Sequence, residues 1–350
     1  MHLHHIKLVQ FSLYPSALFE FSPGVNLIVG PNAQGKTSLL EAIYLLIAAK
    51  SFRTHRHAEM IAFGSNGFSV EGAFERENVK QTVRLYTNGK EKGLVYNTTR
   101  IPHWSAVVGL MNGAVLTPDD ATLIKGGPQQ RRMYIDMLIS QSDPLYIHHL
   151  ERYQRALDQR NALLRARRTQ TIETWEQEMA QSAAFLIGKR AATIEALSKL
   201  LVGIHYELSG ETEEISLRYK NTTVEMSGDY KQNFLNELSK HRPREMEVGF
   251  SLVGPHKDDI EILIDQKDVR SFGSEGQQRT SVGSLKLAEW HFLKEATGEV
   301  PLMLIDDLGI SLDAERQRRL VKMMEGLGQV FVTSTQSVDF GIFNSHIIRF

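Results

Sequence analysis

Residues 25–38 read Val25-Asn26-Leu27-Ile28-Val29-Gly30-Pro31-Asn32-Ala33-Gln34-Gly35-Lys36-Thr37-Ser38. The apolar run before Gly30 has the length and composition of a buried strand. The residues after Lys36 continue with apolar side chains at helical spacing. A glycine, four residues, and then Gly-Lys-Thr match the phosphate-binding loop G-x-x-x-x-G-K-[ST] between a strand and a helix. We therefore expect this chain to bind the phosphates of a nucleotide.

The chemistry of this loop explains its residue types. The glycines let the backbone fold so that successive N–H groups point into one anion-binding nest. The N-terminus of the following helix adds positive partial charge at the same point. Lys36 would reach the β- and γ-phosphates, and the Thr37 hydroxyl would ligate Mg²⁺. The predicted nucleotide-binding residues are Gly30, Pro31, Asn32, Ala33, Gln34, Gly35, Lys36, Thr37 and Ser38.

Length and composition restrict the class of protein. The chain has 350 residues, which is more than one hydrophobic core usually organises, so we expect two domains or one domain with a large insertion. It has no cysteine, which excludes disulfides and thiolate metal sites and favours the reducing cytosol. No apolar run reaches membrane-spanning length. The histidines at positions 2, 4 and 5 alternate with apolar residues, which favours a half-exposed strand over a metal site.

A second nucleotide motif stands near the C-terminus, where residues 301–307 read Pro301-Leu302-Met303-Leu304-Ile305-Asp306-Asp307. Apolar residues before two aspartates predict a Walker B strand. Asp306 would complete the Mg²⁺ shell. Asp307 would orient or deprotonate the attacking water, so Lys36 and Asp307 are the predicted catalytic residues.

The spacing of the two motifs predicts the domain organisation, because about 270 positions separate them. We expect residues 1–118 and 248–350 to form the two parts of one ATPase head, with a helical arm at 119–247 inserted between them. Residues 67–100 read as strands with a hairpin at Asn88-Gly89, and residues 248–253 read as another strand.

A third motif, Ser274-Glu275-Gly276-Gln277-Gln278, precedes an apolar helix. A turn of small residues at a helix N-terminus is an anion-binding device. Because the helix after Gly35 already holds the phosphates of its own subunit, we interpret this turn as completing the site of a second subunit. The alternative is a plain N-cap between a loop and a helix.

Two basic segments are candidates for binding DNA phosphates. The loop after the phosphate-binding helix contains Arg53 and Arg56, which would hold phosphate of nucleotide or DNA, or lie on a solvated turn. The stretch 150–168 carries six arginines against two acids. It is either a DNA-contacting face or a solvated helix face. The candidates taken from both segments are Arg53, Arg56, Arg160, Arg165, Arg167 and Arg168.

Together, these motifs resemble the ABC-type ATPase heads of chromosome-maintenance proteins. Further blocks are similar to the RecF family of bacterial DNA replication and repair proteins, over nearly the whole chain. These blocks are Ser51-Phe52-Arg53-Thr54, Lys125-Gly126-Gly127-Pro128, Arg131-Arg132 with Asp136, residues 153–164, Gly254-Pro255-His256-Lys257-Asp258-Asp259 and Gly276-Gln277-Gln278-Arg279-Thr280.

The resemblance implies an α/β fold: an ABC-type P-loop ATPase head with a β-hairpin subdomain and an inserted helical arm. It implies ATP and Mg²⁺ as cofactors, and a slow DNA-stimulated ATPase that dimerises with ATP between the subunits. It also implies binding to single-strand/double-strand junctions and gapped DNA, and cooperation with RecO and RecR in loading RecA, in the cytoplasm and without a membrane partner. The alternatives are a transporter ATPase subunit, disfavoured by the hydroxyls at 333–335 in place of a switch histidine, and a non-hydrolysing DNA-junction scaffold.

Three positions depart from the family pattern. Ser12, in Phe11-Ser12-Leu13-Tyr14, stands where the family usually has an arginine, so an expected contact is missing. Ile310 precedes Ser311-Leu312-Asp313 where the family usually reads Ser-Glu-Leu-Asp, which leaves Ser311 as the candidate for the serine contact across subunits. Lys257 replaces the usual arginine and keeps the charge without the fork geometry.

Overall fold

The computed structural model describes residues 1–54, 56–210, 213–221, 229–307, 314–335 and 345–350. The chain folds into two compact units. We call residues 1–121, 203–213 and 274–350 the head unit, and residues 122–202 and 214–273 the arm unit. In the described part of the chain, no helix is long and apolar enough to cross a lipid bilayer.

The head unit contains an antiparallel sheet with the strand order β2-β1-β4-β5-β6-β7. The turn between β5 and β6 contains the predicted Asn88-Gly89 pair, where Asn88 Oδ1 accepts from the backbone N–H of Glu91 at 2.7 Å and Gly89 has a φ of 84°. Its strands are β1 (His2–Phe11), β2 (Tyr14–Glu20), β4 (Phe68–Arg76), β5 (Val79–Thr87), β6 (Lys92–Tyr96) and β7 (Thr99–Ile101).

A parallel sheet with the order β14-β3-β13-β12-β8 forms the second layer of the head unit. Four of its five strands are mainly apolar and buried because both faces of such a sheet are covered, whereas the edge strand at residues 346–349 is mainly exposed. They are β3 (Val25–Val29), β8 (Gly113–Leu116), β12 (Leu302–Ile305), β13 (Val330–Ser334) and β14 (His346–Arg349). The two predicted nucleotide motifs therefore follow β3 and β12, which lie on either side of β13.

Helix α1 (Lys36–Ala48) contacts strands of both sheets of the head unit, and nearly all of its residues are buried. The approach to the antiparallel sheet is close, because a Cβ on Gly72 of β4 would lie 2.5 Å from Leu46. The predicted buried helix directly after the phosphate-binding loop is confirmed. The other long helices of this unit are α8 (Glu275–Thr297) and α9 (Ala314–Met324).

The arm unit is mainly helical. Side-chain pairs show that its two longest helices run antiparallel, since Arg152 contacts Glu178 and His149 contacts Ser182. The helices of this unit are α2 (Thr122–Lys125), α3 (Pro128–Ser142), α4 (Pro144–Arg165), α5 (Ile172–Ser209), α6 (Tyr230–Val248) and α7 (Val269–Phe272). The last turns of α5, from residue 203, belong to the head unit.

A small antiparallel sheet completes the arm unit, with β10 (Asp259–Ile264) between β9 (Ile215–Lys220) and β11 (Lys267–Asp268). Short 3₁₀ turns occur in both units. Those of the head unit are His57–Met60, Trp104–Val107 and Pro118–Ala121, and the arm unit has one at Pro255–Lys257. Because β10 pairs with β9, residues 248–273 belong to the same unit as the helical segment, whereas the spacing of the motifs predicts them in the head.

The predicted strand at 248–253 is wrong. Helix α6 extends to Val248 and ends at Gly249, which has a φ of 81°. The backbone N–H of Ser251 is taken by the side chain of Asn161, and that of Leu252 by the side chain of Glu245. The apolar residues here therefore form a loop held by side chains, with no neighbouring strand in the described part of the arm unit.

Candidate functional site

The carboxyl ends of β3, β13 and β12 meet at one edge of the parallel sheet, and the predicted nucleotide residues surround this edge. A cavity of about 380 Å³ opens here, which lies within the range of small-ligand sites. It is lined by Ser12, Leu13, Asn32, Ala33, Gly35, Lys36, Thr37, Ser38, Arg53, Asp306, Asp307 and Thr333. The structure therefore brings together the two motifs that the sequence separates.

The phosphate-binding loop has the expected backbone shape. Gly35 has a φ of 103°, a conformation that favours glycine, and α1 begins at the next residue. The Lys36 ammonium donates to the carbonyl oxygens of Gly30 at 2.6 Å and Pro31 at 2.7 Å. Its charge is thus held over the loop, where an anion would replace the two carbonyls as its partner.

Tyr14 fixes the far side of this loop, a role that the sequence pattern does not reveal. Its hydroxyl donates to the carbonyl oxygen of Gly35 at 2.9 Å. A Cβ on Gly35 would lie 2.7 Å from that hydroxyl. Burial raises the pKa of Tyr14 well above its ordinary value, so the hydroxyl stays protonated and continues to donate. Only glycine fits here, for both its backbone conformation and its space.

Asp306 is the point where the two motifs touch. Its Oδ1 accepts a hydrogen bond from Thr37 at 3.0 Å and another from Thr333 of β13 at 2.7 Å. Burial raises the pKa of the Asp306 carboxyl, against the two hydroxyl donors, which lower it. A desolvated carboxylate beside a hydroxyl offers the hard oxygen ligands that Mg²⁺ prefers, so this pair fits the predicted metal.

Asp307 also lines this cavity. Its backbone N–H donates to Thr333 Oγ1 at 2.8 Å, and its φ of 56° lies in the left-handed region. The Thr333 hydroxyl therefore accepts from Asp307 while it donates to Asp306. This double contact fixes the backbone where β12 ends. Ile310, which departs from the family pattern, and Ser311, the candidate for the serine contact across subunits, lie outside the described residues.

Ser12, which replaces the arginine usual in the resembling family, also lines the cavity. Its hydroxyl lies 2.8 Å from the hydroxyl of Ser38 on α1. The departure therefore places a short neutral side chain against the phosphate-binding helix, where the family pattern would place a cation.

Arg53 reaches the cavity from the loop after α1, and this position favours the nucleotide alternative for that loop. Its side chain is 50% exposed and lies 3.4 Å from Glu41. Ser51 also donates to Glu41 and accepts from the backbone of Arg53 at 2.9 Å. Burial raises the pKa of Glu41, which Ser51 and Arg53 lower. Glu41, also missed from the sequence, thus holds the turn that presents Arg53. Arg56 is 83% exposed and lies near Glu59.

The turn at residues 274–278 forms the start of α8. Ser274 Oγ accepts from the Gln277 backbone at 3.2 Å, and Gln277 Oε1 accepts from the Ser274 backbone at 2.8 Å, which makes a capping box. Residues 274–278 are not among those that line the cavity of the described head unit. The interpretation that this turn serves a second subunit stays a prediction.

The prediction that Arg160 binds DNA is wrong. Its side chain is fully buried and contacts Glu176 at 2.8 Å and Glu245 at 2.7 Å. It therefore cannot reach a phosphate. The pattern could have shown this, because Arg160 follows Tyr153 and Leu157 and precedes Leu164 at the spacing of one apolar helix face. The other candidates of this segment, Arg165, Arg167 and Arg168, are exposed at the end of α4.

Comparison with known proteins gives one consistent family. The model of the RecF/RecN/SMC N terminal domain matches residues 2–345. The DNA replication and repair protein RecF of Protochlamydia amoebophila is 44% identical over 339 residues, which are 96% of this chain and 94% of that protein. The RecF protein of Lysinibacillus sphaericus is 36% identical over 345 residues, 96% of this chain and 93% of that protein.

Solved structures agree with this. The recombination mediator protein RecF with ATPrS matches with a TM-score of 0.90 and 30% identity, over 99% of this chain and 97% of that one. An Smc head bound to the C-winged helix domain of ScpA matches with a TM-score of 0.56 and 17% identity, over 97% of this chain and 91% of that one. The second likeness extends to the fold alone. The predicted ABC-type ATPase head fold is confirmed.

Proposed function

This chain belongs to the RecF family, and on that premise we propose that it is an ATP-dependent DNA-binding protein of replication and recombinational repair. It binds ATP, dimerises and holds DNA at single-strand/double-strand junctions and gaps. It acts with RecO and RecR in loading RecA. The family relatives are named for DNA replication and repair, and solved relatives are described as RecF bound to ATP in the RecFOR pathway.

The observation that carries this proposal is the contact of Thr37 with Asp306 beside Lys36 in one cavity. A triphosphate needs a cation, a nest of N–H groups and a metal-holding pair at one point. The chain supplies all three from segments about 270 positions apart. A glycine-rich turn without a nucleotide role would not need this convergence.

The residues of the cavity divide the work of binding and hydrolysis. Lys36 exchanges the carbonyls of Gly30 and Pro31 for the β- and γ-phosphate oxygens of ATP. Thr37 and Asp306 would hold Mg²⁺, and the bound cation would neutralise charge on the phosphates. Asp307 orients the attacking water, and its carboxylate takes the proton that the water loses. Arg53, released from Glu41, adds charge at the open side of the phosphates.

The turn at 274–278 supports dimerisation. It presents a helix N-terminus on the surface of the head unit, and it is not among the described residues that line the cavity. Joined head to head, each subunit would place this turn over the ATP of the other. ATP then links the two chains, and hydrolysis releases them together with the DNA.

The test is one series of gel shifts on duplex, single-stranded and gapped DNA, each with ATP, with ADP and without nucleotide. We expect gapped DNA to bind best, and only with ATP. Light scattering on the same samples should give dimers with ATP alone. Lys36→Ala should lose ATP binding, the dimer and tight DNA binding together, whereas the exposed control Lys7→Ala should keep all three. Equal dimerisation with and without ATP would overturn the gating part of the proposal.

A further inference from the structure

The loop of residues 249–258 in the arm unit, which we call the platform loop, gathers sequence blocks that the nucleotide site does not use. It runs from the end of α6 to the start of β10. Tyr153 and Asn161 of α4 contact this loop, and residues 254–258 belong to it. So many polar contacts to one short loop suggest that the loop has a function of its own.

The first half of the platform loop is fixed from below by buried polar groups. Asn161 Oδ1 accepts from the Ser251 backbone N–H at 2.7 Å and from its hydroxyl at 2.8 Å. Arg160 donates to the same hydroxyl at 2.7 Å. Glu245 accepts from the backbone N–H of Leu252 at 2.6 Å. The backbone on both sides of residue 250 is therefore held in one conformation.

The second half is fixed in the same way. The buried Arg190 donates to the carbonyl oxygen of Pro255 at 2.7 Å, and Arg132 donates to that of Asp258 at 2.6 Å. The hydroxyl of Tyr153 lies 2.6 Å from Nδ1 of His256. Three residues from α3, α4 and α5 thus immobilise the short turn that carries residue 257.

On this fixed backbone the loop exposes one aromatic ring next to a cation. Phe250 is 44% exposed. The ammonium of Lys257 lies 5.4 Å from the centre of its ring. At the preceding residue, a Cβ on Gly249 would lie 3.3 Å from Cγ of Arg165, which is itself exposed at the end of α4. Arg167 and Arg168 follow in the next turn.

We propose that Phe250 is a stacking site for an unpaired base of single-stranded DNA, with Lys257 and Arg165 holding the adjacent phosphates. This inference rests on the proposed function and names the part of a gapped substrate that the arm unit recognises. An aromatic ring stacks on any base, and flanking cations follow the backbone, which is how single strands are bound without sequence preference. The neighbouring cations Lys257 and Arg165 favour a polyanion over an apolar protein partner.

The fixed backbone of the platform loop lowers the entropic cost of stacking on Phe250. An exposed phenyl ring on a mobile loop would lose conformational freedom on binding, whereas here the backbone is already fixed. The same fixed backbone carries both the Phe250 ring and the Lys257 ammonium that lies over it. A base paired inside a duplex cannot offer its face, so the site distinguishes the unpaired part of a junction.

The test uses the full-length protein with ATP and gapped DNA that carries 2-aminopurine at the first unpaired position. Phe250→Ala should weaken binding to gapped and single-stranded DNA by about five- to a hundredfold, the range for one aromatic–base stack. It should abolish the fluorescence change of the 2-aminopurine on binding. Blunt duplex should bind as before, and the salt dependence should keep its slope. Phe250→Trp should retain binding and the fluorescence change.

The charges have a separate readout. Lys257→Gln and Arg165→Gln should each lower the slope of log K against log salt on single strands by about 0.7. Phe63→Ala, which removes a fully exposed ring of the head unit, is the control and should leave affinity and fluorescence unchanged. If the wild type binds gapped DNA and Phe250→Ala binds it equally well, the stacking site is refuted alone. If the wild type binds no DNA, the proposed function falls with it.

Discussion

The hydroxyl of Thr37 donates a hydrogen bond of 3.0 Å to Oδ1 of Asp306, across 269 positions of sequence. This contact joins the first residues of α1 to the end of β12. Thr333 on the intervening β13 donates to the same oxygen at 2.7 Å. The Asp306 carboxylate is thus the meeting point of residues from three neighbouring strands or the segments after them. The geometry of the Thr37–Asp306 pair therefore depends on how these strands pack in the parallel sheet.

The first prediction concerns Thr37→Val, which keeps the shape of the side chain and removes its hydroxyl. The variant should bind ATP in the presence of EDTA as the wild type does. The gain in affinity on adding Mg²⁺ should fall by about tenfold, or ~1.4 kcal/mol, because one ligand of the cation is lost. Isothermal titration with and without Mg²⁺ measures this gain. Thr37→Ser, which keeps the hydroxyl, is the matched control, and an undiminished Mg²⁺ effect in Thr37→Val would argue against the assignment.

Asp307→Asn should bind ATP and form dimers that do not turn over. The amide cannot accept the proton of the attacking water, so single-turnover hydrolysis should slow by about 10²- to 10⁴-fold. Light scattering should then show dimers that persist after the wild type has dissociated. The exposed Asp119→Asn is the control. If both variants and the wild type hydrolyse no ATP, while the dimer still forms, the chain is the non-hydrolysing scaffold that the sequence left as an alternative.

The nucleotide half-site could be predicted from sequence because its chemistry is local. A phosphate nest requires a glycine with positive φ, a lysine and a hydroxyl at fixed spacings. Those spacings can be read directly from the sequence. The Walker B strand is readable for the same reason, since an apolar strand must end where its acids are needed. Tyr14 could not be found this way, because its bond to Gly35 depends on β2 lying beside the loop.

The arm unit was less predictable because its polar contacts join distant segments. Arginines at 150–168 look alike in the linear sequence, yet Arg160 is buried and Arg165 is exposed. Only the helical position distinguishes them. The apolar residues in 248–253 predict a strand by composition. The side chains of Asn161 and Glu245, however, accept hydrogen bonds from backbone N–H groups of this segment that would otherwise pair with a neighbouring strand. Burial and tertiary hydrogen bonding decide both cases, and neither is a property of the local sequence.

Arg160→Met should lower the free energy of unfolding and leave the contacts between the protein and DNA phosphates unchanged. The substitution removes the cation between Glu176 and Glu245 and leaves the fully buried Glu245 without its ion-pair partner. Breaking such a pair typically costs about 3–5 kcal/mol. Urea unfolding followed by circular dichroism measures the loss, with the exposed Arg155→Met as control. The slope of DNA affinity against salt should stay at the wild-type value, and a reduced slope would return Arg160 to the DNA surface.

The exposed end of α4 should account for part of the salt dependence of DNA binding. Replacing Arg165, Arg167 and Arg168 together by glutamine should lower the slope of log K against log salt by about 2–3, because each phosphate contact releases close to one counterion. The control replaces three exposed cations of the β-hairpins, Lys80, Lys90 and Arg100, and should change the slope little. Equal slopes for the wild type and the arm variant would assign this segment to a solvated helix face.

His256 should make the protein less stable in acid. Burial lowers the pKa of His256 from 6.5 to about 4, and the nearby charges of Lys257 and Arg132 act in the same direction. Its Nε2 faces the carbonyl oxygen of Ser251, which can only accept, so Nδ1 accepts from the hydroxyl of Tyr153. Protonation would remove that acceptor. The folded state therefore keeps the ring neutral at a pH where the unfolded chain binds a proton.

The direction follows from linkage, because stability rises with pH wherever the unfolded state binds more protons and therefore falls on acidification. Above pH 6.5 the ring of His256 is mainly neutral in both states and has little effect on stability. As the pH falls from 6.5 toward 4, the unfolded chain binds a proton that the folded chain does not, and the free energy of unfolding has fallen by about 2 kcal/mol by pH 5. His256→Asn, whose Oδ1 can accept from Tyr153, should show a smaller loss of unfolding free energy between pH 7 and pH 5 by that amount. Replacing the exposed His103 by glutamine should leave the loss as in the wild type. An equal pH dependence in His256→Asn and the wild type would mean that His256 is not held neutral by the platform loop.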